Sequence, residues 1–345
     1  MHSAHRRTRP ADELDRLRSP DYLRGLCPRE AGLKTAVLAL GGNALARAGE
    51  PATVANQFRH ARESMGPVVE LARAGWQIVL VHGNGPQVGD ELMRNEAARR
   101  AVEPLPLGVL VAETAGWIGY MLQQSLQNAL EAARVRRDVI TIITQTLVDR
   151  YDPALGRPTK PIGHALGEAE VTRLREAGRA VGRDGAGVWR RMATSPVPLG
   201  VVELPVVKRL MTDGTIVIAA GGGGPPVYAD PLLGLEGVDA VVDKDRVASM
   251  LARQLEAEVL MILTNVDAVF EGWGTPAARP IRRMSVAQAE AMMAAGGLDE
   301  GGMRPKIEAA ADFVRAGGRR AIIAQLSGGP AALRGETGTT ITGEP

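Results

Sequence analysis

Short, uninterrupted apolar segments alternate along this chain with segments of helical periodicity. TAVLAL at Thr35–Leu40 leads into two glycines, QIVLV at 77–81 leads into the loop HGNGPQVG, and TIVIAA at 215–220 leads into four glycines. A strand that is apolar at every residue is buried on both faces, which is typical of parallel sheets covered by helices. The pattern therefore predicts an α/β protein with a mostly parallel central sheet.

The segments between these strands carry the helical pattern. Apolar residues from Val54 to Ala72 recur at alternating spacings of four and three, which predicts one helix with a kink at Pro67. Ser285 and Gln288 have the spacing of a capping box at the start of another helix. The other predicted elements are helices over 109–134, 246–256 and 307–315, strands over 139–144, 259–263 and 320–324, and an edge strand over 338–341.

Residues 149–205 interrupt this alternation. They contain six prolines, the motif GRPTKPIG and a basic Trp-Arg-Arg cluster. Because strands of the same apolar type lie on both sides, we interpret about 149–205 as an inserted, protruding subdomain rather than a separate domain. Residues 1–33 mix Arg, Pro, Asp and Ser without steady periodicity, so we predict a mobile N-terminal arm followed by one domain over 34–345.

The composition excludes several classes of function. Lys and Arg number 41 against 39 Asp and Glu, so the net charge of +2 gives no argument for nucleic acid or an anionic membrane. Cys27 is the only cysteine, and the five histidines show no metal-ligand spacing. No apolar run approaches the ~18 residues of a membrane span, and the N-terminus lacks the apolar region of a secretory signal. We expect a cytoplasmic protein.

Glycine-rich loops follow three of the predicted strands. Ligands of open α/β sheets bind beyond the carboxyl ends of the strands, where glycine loops expose backbone N–H groups to anions. Loops gathered at one edge therefore predict a site for phosphates. Taken singly, Gly41-Gly42-Asn43 also fits a strand-to-helix turn, the HGNGP loop an Asn-Gly hairpin, and the run of four glycines a flexible linker. The four strand-end segments are Gly41-Gly42-Asn43, Gly83-Asn84-Gly85, residues 221–224 and Thr264-Asn265-Val266-Asp267.

Lysine is scarce, with only five residues in the chain, and three of them occur in distinctive contexts. These are Lys160 in PTKP, Lys244 in VDKD and Lys306 in MRPKIEAA. A lysine ammonium is a point charge that can follow a moving phosphoryl group, although a solvated surface lysine is the alternative interpretation. Asp243 and Asp245 could hold Lys244, bind Mg²⁺ through water or cap a helix. The P-loop, GxGxxG and protein-kinase motifs are absent.

These motifs, in their order along the chain, closely resemble those of the carbamate kinases of the amino acid kinase superfamily. The resemblance covers about residue 34 to the end, and PTKPIG together with HGNGPQVG separates carbamate kinases from sister kinases of the superfamily. The segments that carry it are ALGGNAL, VHGNGPQVGDEL, IGYMLQQ, TQTLVD, PTKPIG, GGGG, VDKD, LTNVD and MRPKIEAA.

The resemblance implies a three-layer α/β/α sandwich, commonly a homodimer, with an inserted subdomain near PTKPIG. It also implies a reversible reaction in which carbamate and ATP give carbamoyl phosphate and ADP, with Mg²⁺ held mainly by the nucleotide phosphates rather than directly by the protein. The family usually runs this reaction toward ATP in arginine or related nitrogen catabolism.

The resemblance also assigns roles to individual residues. Lys160 would reach the phosphoryl group from the subdomain, Lys244 would bridge the phosphoryl oxygens during transfer, and Asp245 would organise the site or the metal. The implied substrate- and phosphate-binding residues are Gly41, Gly42, Asn43, Gly83, Asn84, Gly85, Gly222 and Gly223. The implied nucleotide-binding residues are Asn265, Val266, Met303 and Lys306.

Several positions depart from the family pattern. Ala115 replaces a glutamine, His164 and Ala165 replace Pro-Phe after PTKPIG, and residues 185–188 lack an arginine. Gly301-Gly302-Met303 stands where the family has GSM. Two alternatives therefore stay open: a sister kinase that acts on another small carboxylate or phosphate, and a nucleotide-sensing homologue with weak or no turnover.

Overall fold

The computed structural model describes residues 34–42, 45, 50–296, 298 and 302–344. The predicted N-terminal arm, residues 1–33, lies outside the described residues, and so does Asn43. Within the described part of the chain, no helix is long and apolar enough to span a membrane.

Seventeen strands occur in the described residues, and we number them in chain order. They are β1 Thr35–Leu40, β2 Gln77–His82, β3 Val139–Thr141, β4 Thr146–Val148, β5 Lys160–Ile162, β6 Val181–Arg183, β7 Trp189–Ala193, β8 Pro198–Val201, β9 Ile216–Ile218, β10 Pro226–Asp230, β11 Gly234–Gly237, β12 Val259–Thr264, β13 Val269–Glu271, β14 Arg279–Ile281, β15 Arg283–Ser285, β16 Arg320–Gln325 and β17 Thr339–Thr342.

Ten α-helices accompany them in the same residues. They are α1 Val54–Glu63, α2 Gly66–Arg73, α3 Gly85–Ala98, α4 Leu107–Ala132, α5 Glu168–Glu176, α6 Leu204–Thr212, α7 Lys244–Gln254, α8 Val286–Ala295, α9 Met303–Arg315 and α10 Gly329–Leu333. Short 3₁₀ helices cover Pro153–Gly156, Gly221–Gly223 and Leu326–Gly328.

The main sheet has eight strands in the order β15-β17-β16-β12-β1-β2-β9-β3. All neighbouring pairs are parallel except β16 and β17, so the prediction of a mostly parallel sheet is confirmed. The predicted edge strand over 338–341 is β17, and its predicted position is wrong. β15 pairs with the side of β17 that faces away from β16, with Arg283 opposite Thr340, so β15 is the edge strand instead.

Helices cover both faces of this sheet because its strands are apolar on both sides. Val37, Val79 and Ile262 lie on one face with residues of α6, α7 and α9. Leu38 and Leu80 lie on the other face with residues of α1, α2 and α4. Successive side chains of a strand point to opposite faces, so each uninterrupted apolar strand contributes to both cores. The predicted layered α/β arrangement is confirmed.

The helix predicted over 54–72 is two helices rather than one kinked helix. α1 ends at Glu63, and α2 begins at Gly66 with Pro67 in its first turn. Proline has no N–H to donate, and the first turn of a helix is where that donor is not needed. The proline therefore starts a new helix. The capping box predicted at Ser285 is present, since its hydroxyl accepts from the N–H of Gln288.

Two smaller sheets lie beside the main one. β5, β7 and β6 form an antiparallel sheet accompanied by α5, all within the segment predicted as the subdomain. β8 also lies in that segment but pairs with β4 in a second sheet of order β11-β10-β4-β8. The proposed boundaries of the subdomain, about 149–205, stay a prediction.

Candidate active site

The loops after β1, β2 and β12 meet at the carboxyl edge of the main sheet. Because the three strands are parallel and in register, Leu40 lies beside His82 on one side and Leu263 on the other. The Gly41 N–H donates to the Leu263 carbonyl at 3.0 Å, and the Gly83 N–H donates to the Leu40 carbonyl at 2.9 Å. Backbone bonds between neighbouring strand ends thus fix the start of both glycine loops.

We call the cavity at this edge the glycine–lysine cleft. Ten of the residues predicted for the site line it: Gly41, Gly42, Gly83, Asn84, Gly85, Lys160, Gly222, Lys244, Asp245 and Lys306. Asp243 and Thr264 also line it, with the neighbouring residues Pro86, Pro161, Ile162, Val241 and Val242. Residues from Gly41 to Lys306, which are far apart in the sequence, therefore come together in one cavity.

Four predicted site residues are placed elsewhere among the described residues. Gly223 is packed against Val242, because a Cβ at this glycine would lie 2.2 Å from the Val242 carbonyl oxygen. Asn265 is exposed, and Val266 and Met303 are half-buried, outside the lining of the glycine–lysine cleft. Their nucleotide-binding roles stay predictions.

Lys244 and Lys306 share one buried carboxylate. The Lys244 ammonium donates to Asp245 Oδ1 at 2.6 Å, and the Lys306 ammonium donates to Asp245 Oδ2 at 3.2 Å. Lys306 also donates to the Gly302 carbonyl at 3.0 Å. The side-chain stem of Lys244 crosses Gly83, where a Cβ would lie 3.0 Å from Lys244 Cδ. Asp245 therefore holds two ammonium groups at the glycine loop.

Lys160 enters the glycine–lysine cleft from another part of the fold. It is the first residue of β5, and its ammonium donates to Asp243 Oδ2. The other oxygen of Asp243 accepts from the N–H groups of Asp245 at 2.9 Å and Arg246 at 3.2 Å. Asp243 is thus the N-cap of α7 and the partner of Lys160 at the same time.

Burial and charge compete in setting the pKa values of these groups. Burial raises the pKa of Asp243, but the charges of Lys160 and Lys244 outweigh it and hold that pKa well below its ordinary value. The pKa of Asp245 is also lowered, because Lys244 and Lys306 outweigh burial. Burial lowers the pKa of Lys244, and Lys306 adds to that effect. For Lys160, Asp243 outweighs burial, so the pKa is raised.

Asn84 is held in one orientation by a residue of α4. Its Nδ2 donates to Thr114 Oγ1 at 2.8 Å, and the Thr114 hydroxyl donates to the Leu110 carbonyl at 2.8 Å. Gly222, at φ +67°, packs against the same amide, and a Cβ there would lie 2.2 Å from Asn84 Nδ2. Sequence reasoning did not assign Thr114 to the site. Its signal was a polar residue on the buried stripe of an otherwise apolar helix.

Two of the departures from the family pattern, Ala115 and His164, make contacts that the structure describes. Ala115 is buried beside the glycines at 221–224, since a Cβ at Gly221 would lie 2.8 Å from the Cβ of Ala115. His164 Nδ1 lies 2.9 Å from Asp90 Oδ1, so it joins the inserted segment to α3. Neither side chain lines the glycine–lysine cleft directly.

His82, the last residue of β2, is fully enclosed beneath the glycine loops. Its Nδ1 lies 3.2 Å from the Gly83 carbonyl oxygen, and its Nε2 has no hydrogen-bond partner among the described residues. A Cβ at Gly221 would lie 2.5 Å from that Nε2. Burial lowers the pKa of His82 from 6.5 to about 4. The imidazole is therefore neutral in the folded protein at neutral pH.

We expect the free energy of unfolding to fall as the pH decreases from 6.5 to about 4. Within this window the unfolded chain binds a proton at His82 and the folded chain does not, so its contribution of about 3 kcal/mol is present above the window and is lost within it. Urea unfolding at about pH 7.5 and about pH 4.5 measures this change. A His82→Asn variant should show a smaller difference, and an undiminished difference would assign it to other groups.

Comparison with known proteins decides the family. The profile of the Amino acid kinase family matches residues 34–325. The chain belongs to the amino acid kinase family. One curated relative is the carbamate kinase of Pyrococcus horikoshii, which is 41% identical over 309 residues covering 89% of this chain and 98% of that protein.

Solved structures of the amino acid kinase family agree with this assignment. The carbamate kinase from Giardia lamblia bound to citric acid has a TM-score of 0.85 and 37% identity, and covers 90% of this chain and 99% of that chain. The same enzyme bound to AMP-PNP has a TM-score of 0.81 at the same identity and coverage. The predicted amino acid kinase fold is thereby confirmed.

Proposed function

We propose that this chain is a carbamate kinase, which transfers a phosphoryl group reversibly between ATP and carbamate. The observation that carries the proposal is the meeting of Lys160, Lys244 and Lys306 with two glycine loops in one cleft. Relatives and solved structures that share this fold over about nine-tenths of the chain are named carbamate kinases. Both the arrangement of charges and the family therefore favour the same reaction.

The reaction requires charge stabilisation more than proton transfer. In the direction of ATP synthesis, an oxygen of the ADP β-phosphate forms a bond to phosphorus while the bond from phosphorus to the carbamoyl oxygen breaks. The electron pair of that bond leaves with carbamate, so no proton moves. Both reactants are anions, and the barrier arises largely from their repulsion. Backbone N–H groups and ammonium groups that face the transferred group lower it.

We assign the roles by position in the glycine–lysine cleft. The Gly41-Gly42 loop after β1 faces the transferred phosphoryl group, and Gly83, Asn84 and Gly85 hold the carbamate end. Lys244 bridges the oxygens of the phosphoryl group during its transfer, and Lys160 approaches the same group from β5. Asp245 holds the ammonium groups of Lys244 and Lys306 in place. Asn43 is expected to join the first loop, and Asn265, Val266, Met303 and Lys306 to surround the nucleotide.

Mg²⁺ is proposed as part of the nucleotide substrate. The described residues contain no group of three or more His, Cys, Asp or Glu placed to hold a metal ion. The two buried carboxylates, Asp243 and Asp245, already accept from lysines and backbone N–H groups. The nucleotide phosphates would therefore hold Mg²⁺, and the ion would offset part of their negative charge. We further propose a cytoplasmic homodimer that works in arginine or related nitrogen catabolism.

The test is ATP formation from ADP and carbamoyl phosphate in the presence of Mg²⁺, read by a coupled assay against a blank without protein. We expect turnover well above the blank. ADP binding without phosphoryl transfer would instead favour the nucleotide-sensing alternative. Transfer from ATP to a different small carboxylate or phosphate, with none to carbamate, would favour a sister kinase.

A further inference from the structure

Lys160 reaches the glycine–lysine cleft from the small three-stranded sheet, whereas the other two lysines of the cleft lie on helices beside the main sheet. Lys160 begins β5 of the small three-stranded sheet, whereas Lys244 begins α7 and Lys306 lies in the first turn of α9, two helices that pack on the main sheet. Lys160 is half-buried, with about 30% of its side chain exposed, against 12% for Lys244. A long, flexible side chain in such a position loses conformational freedom when it is ordered, so something must hold its tip.

Backbone contacts hold the strand that carries Lys160, but they do not hold its tip. The Gly163 N–H donates to the Gly85 carbonyl at 2.8 Å, next to the closely packed Gly89 of α3. Farther along α3, Glu96 accepts from both terminal nitrogens of Arg191 at 2.7 and 2.9 Å. These contacts place β5 against α3, and none of them involves the side chain of Lys160.

Asp243 restrains the tip. Among the described residues, it is the acidic side chain that forms an ion pair with Lys160, and it is itself only 8% exposed. Its Oδ1 is fixed by two backbone N–H groups at the start of α7, so Oδ2 has little freedom. Asp245, two residues on, holds Lys244 and Lys306 instead. The carboxylates at this helix start thus divide the three lysines between them.

We propose that Asp243 is a positioning residue for phosphoryl transfer, which acts by holding the Lys160 ammonium in the glycine–lysine cleft before the phosphoryl group arrives. The two oxygens of the carboxylate have different roles, since Oδ1 orders the first turn of α7 and Oδ2 orders the lysine of the small sheet. The inference rests on the proposed carbamate kinase activity. The sequence motif suggested three other roles for Asp243, which were to hold Lys244, to bind Mg²⁺ through water or to cap a helix.

Asp243→Asn separates these two roles. Asparagine is as good an N-cap as aspartate, so its Oδ1 should keep the bonds to the Asp245 and Arg246 N–H groups. The negative charge that holds Lys160 is lost. We expect kcat to fall by roughly tenfold to a hundredfold, the usual effect of losing a hydrogen bond to a charged group, with little change in KM for ADP. Unchanged or increased kcat would overturn the proposal, since Asp243 would then be dispensable or would compete with the substrate.

A double-mutant cycle with Lys160→Met gives the decisive readout. If Asp243 acts through Lys160, Asp243→Asn should change kcat by less than about twofold in the Lys160→Met background. If Asp243 only supports the fold, the two losses should multiply, and the proposal is overturned. Asp230→Asn is the matched control, because Asp230 also accepts from two backbone N–H groups through Oδ1 and from an arginine, Arg150, through Oδ2, and it does not line the glycine–lysine cleft. We expect this control to keep the wild-type kcat.

A second readout does not depend on turnover. With a limiting amount of acetic anhydride, peptide mass spectrometry reports how fast Lys160 is acetylated. We expect several-fold faster acetylation in Asp243→Asn than in the wild type, because the released amine is more mobile and more often uncharged. Equal acetylation rates would overturn the proposal. If wild-type protein makes no ATP, the proposed activity fails, and the acetylation rates still decide whether Asp243 holds Lys160.

Discussion

Lys244→Ala should abolish measurable ATP formation while leaving the protein folded. Lys244 lines the glycine–lysine cleft with its side chain against the loop after β2, and its proposed role is to contact the phosphoryl group during transfer. At ~4 Å in a partly closed site, one such charge contributes about 4 kcal/mol to the stabilisation of an anion, which is roughly a thousandfold in rate. Asp245 keeps Lys306 as a partner, so its charge is still compensated.

The measurement is kcat in the coupled assay, together with the thermal unfolding midpoint. Lys34→Ala is the matched control, because Lys34 lies before β1 at the opposite, amino edge of the sheet and is exposed. We expect this control to retain full activity. If Lys244→Ala loses less than about tenfold in kcat, Lys244 does not face the transferred group and its assigned role is wrong.

Gly89→Ala should lower kcat by about a hundredfold, although alanine favours helices. Gly89 lies inside α3, where alanine would by itself stabilise an exposed helix by about 1 kcal/mol. Here the backbone of Gly163 lies directly against it, and an added Cβ would be 2.1 Å from Gly163 Cα. Backbone atoms cannot turn aside as a side chain can. The strand β5 must therefore move away from α3 and take Lys160 with it.

A misplacement of about 1 Å in a reacting group can cost about a hundredfold in rate, which is the basis of this estimate. The control is Gly116→Ala in α4, another helical glycine, where the new Cβ would meet only Ile143 Cδ1 at an ordinary 3.8 Å. We expect this variant to keep its activity and to be as stable as the wild type or slightly more so. Equal activity of both variants would show that the contact between α3 and β5 does not position Lys160.

The main sheet could be predicted from the sequence because its signal is local. β1 and β2 are apolar at every internal residue and are followed by glycines, and both are buried parallel strands. The position of β17 could not be predicted in the same way. Its pairing with β15 depends on where a segment more than fifty residues earlier in the chain returns to the sheet.

The residues of the candidate site could likewise be predicted only where the sequence signal is local. Lys160, Lys244 and Lys306 stood out because lysine is scarce and their motifs are specific, and all three line one cleft. Thr114 was not assigned to the site, because a threonine among the buried residues of a helix does not reveal which distant side chain it will bind. Gly223 was grouped with Gly222, but the structure turns it toward Val242 instead.

The sequence by itself determined the alternation of strands and helices, the glycine loops at the strand ends and the choice of the three lysines that line the cleft, since each is visible in a few adjacent residues. Only the tertiary structure decided which carboxylate holds which lysine. Lys160 and Asp243 are 83 residues apart, and Lys306 and Asp245 are 61 apart. Ion pairs of this kind form where separate loops cross in space, and their geometry is set by the packing of the whole sheet rather than by any local pattern.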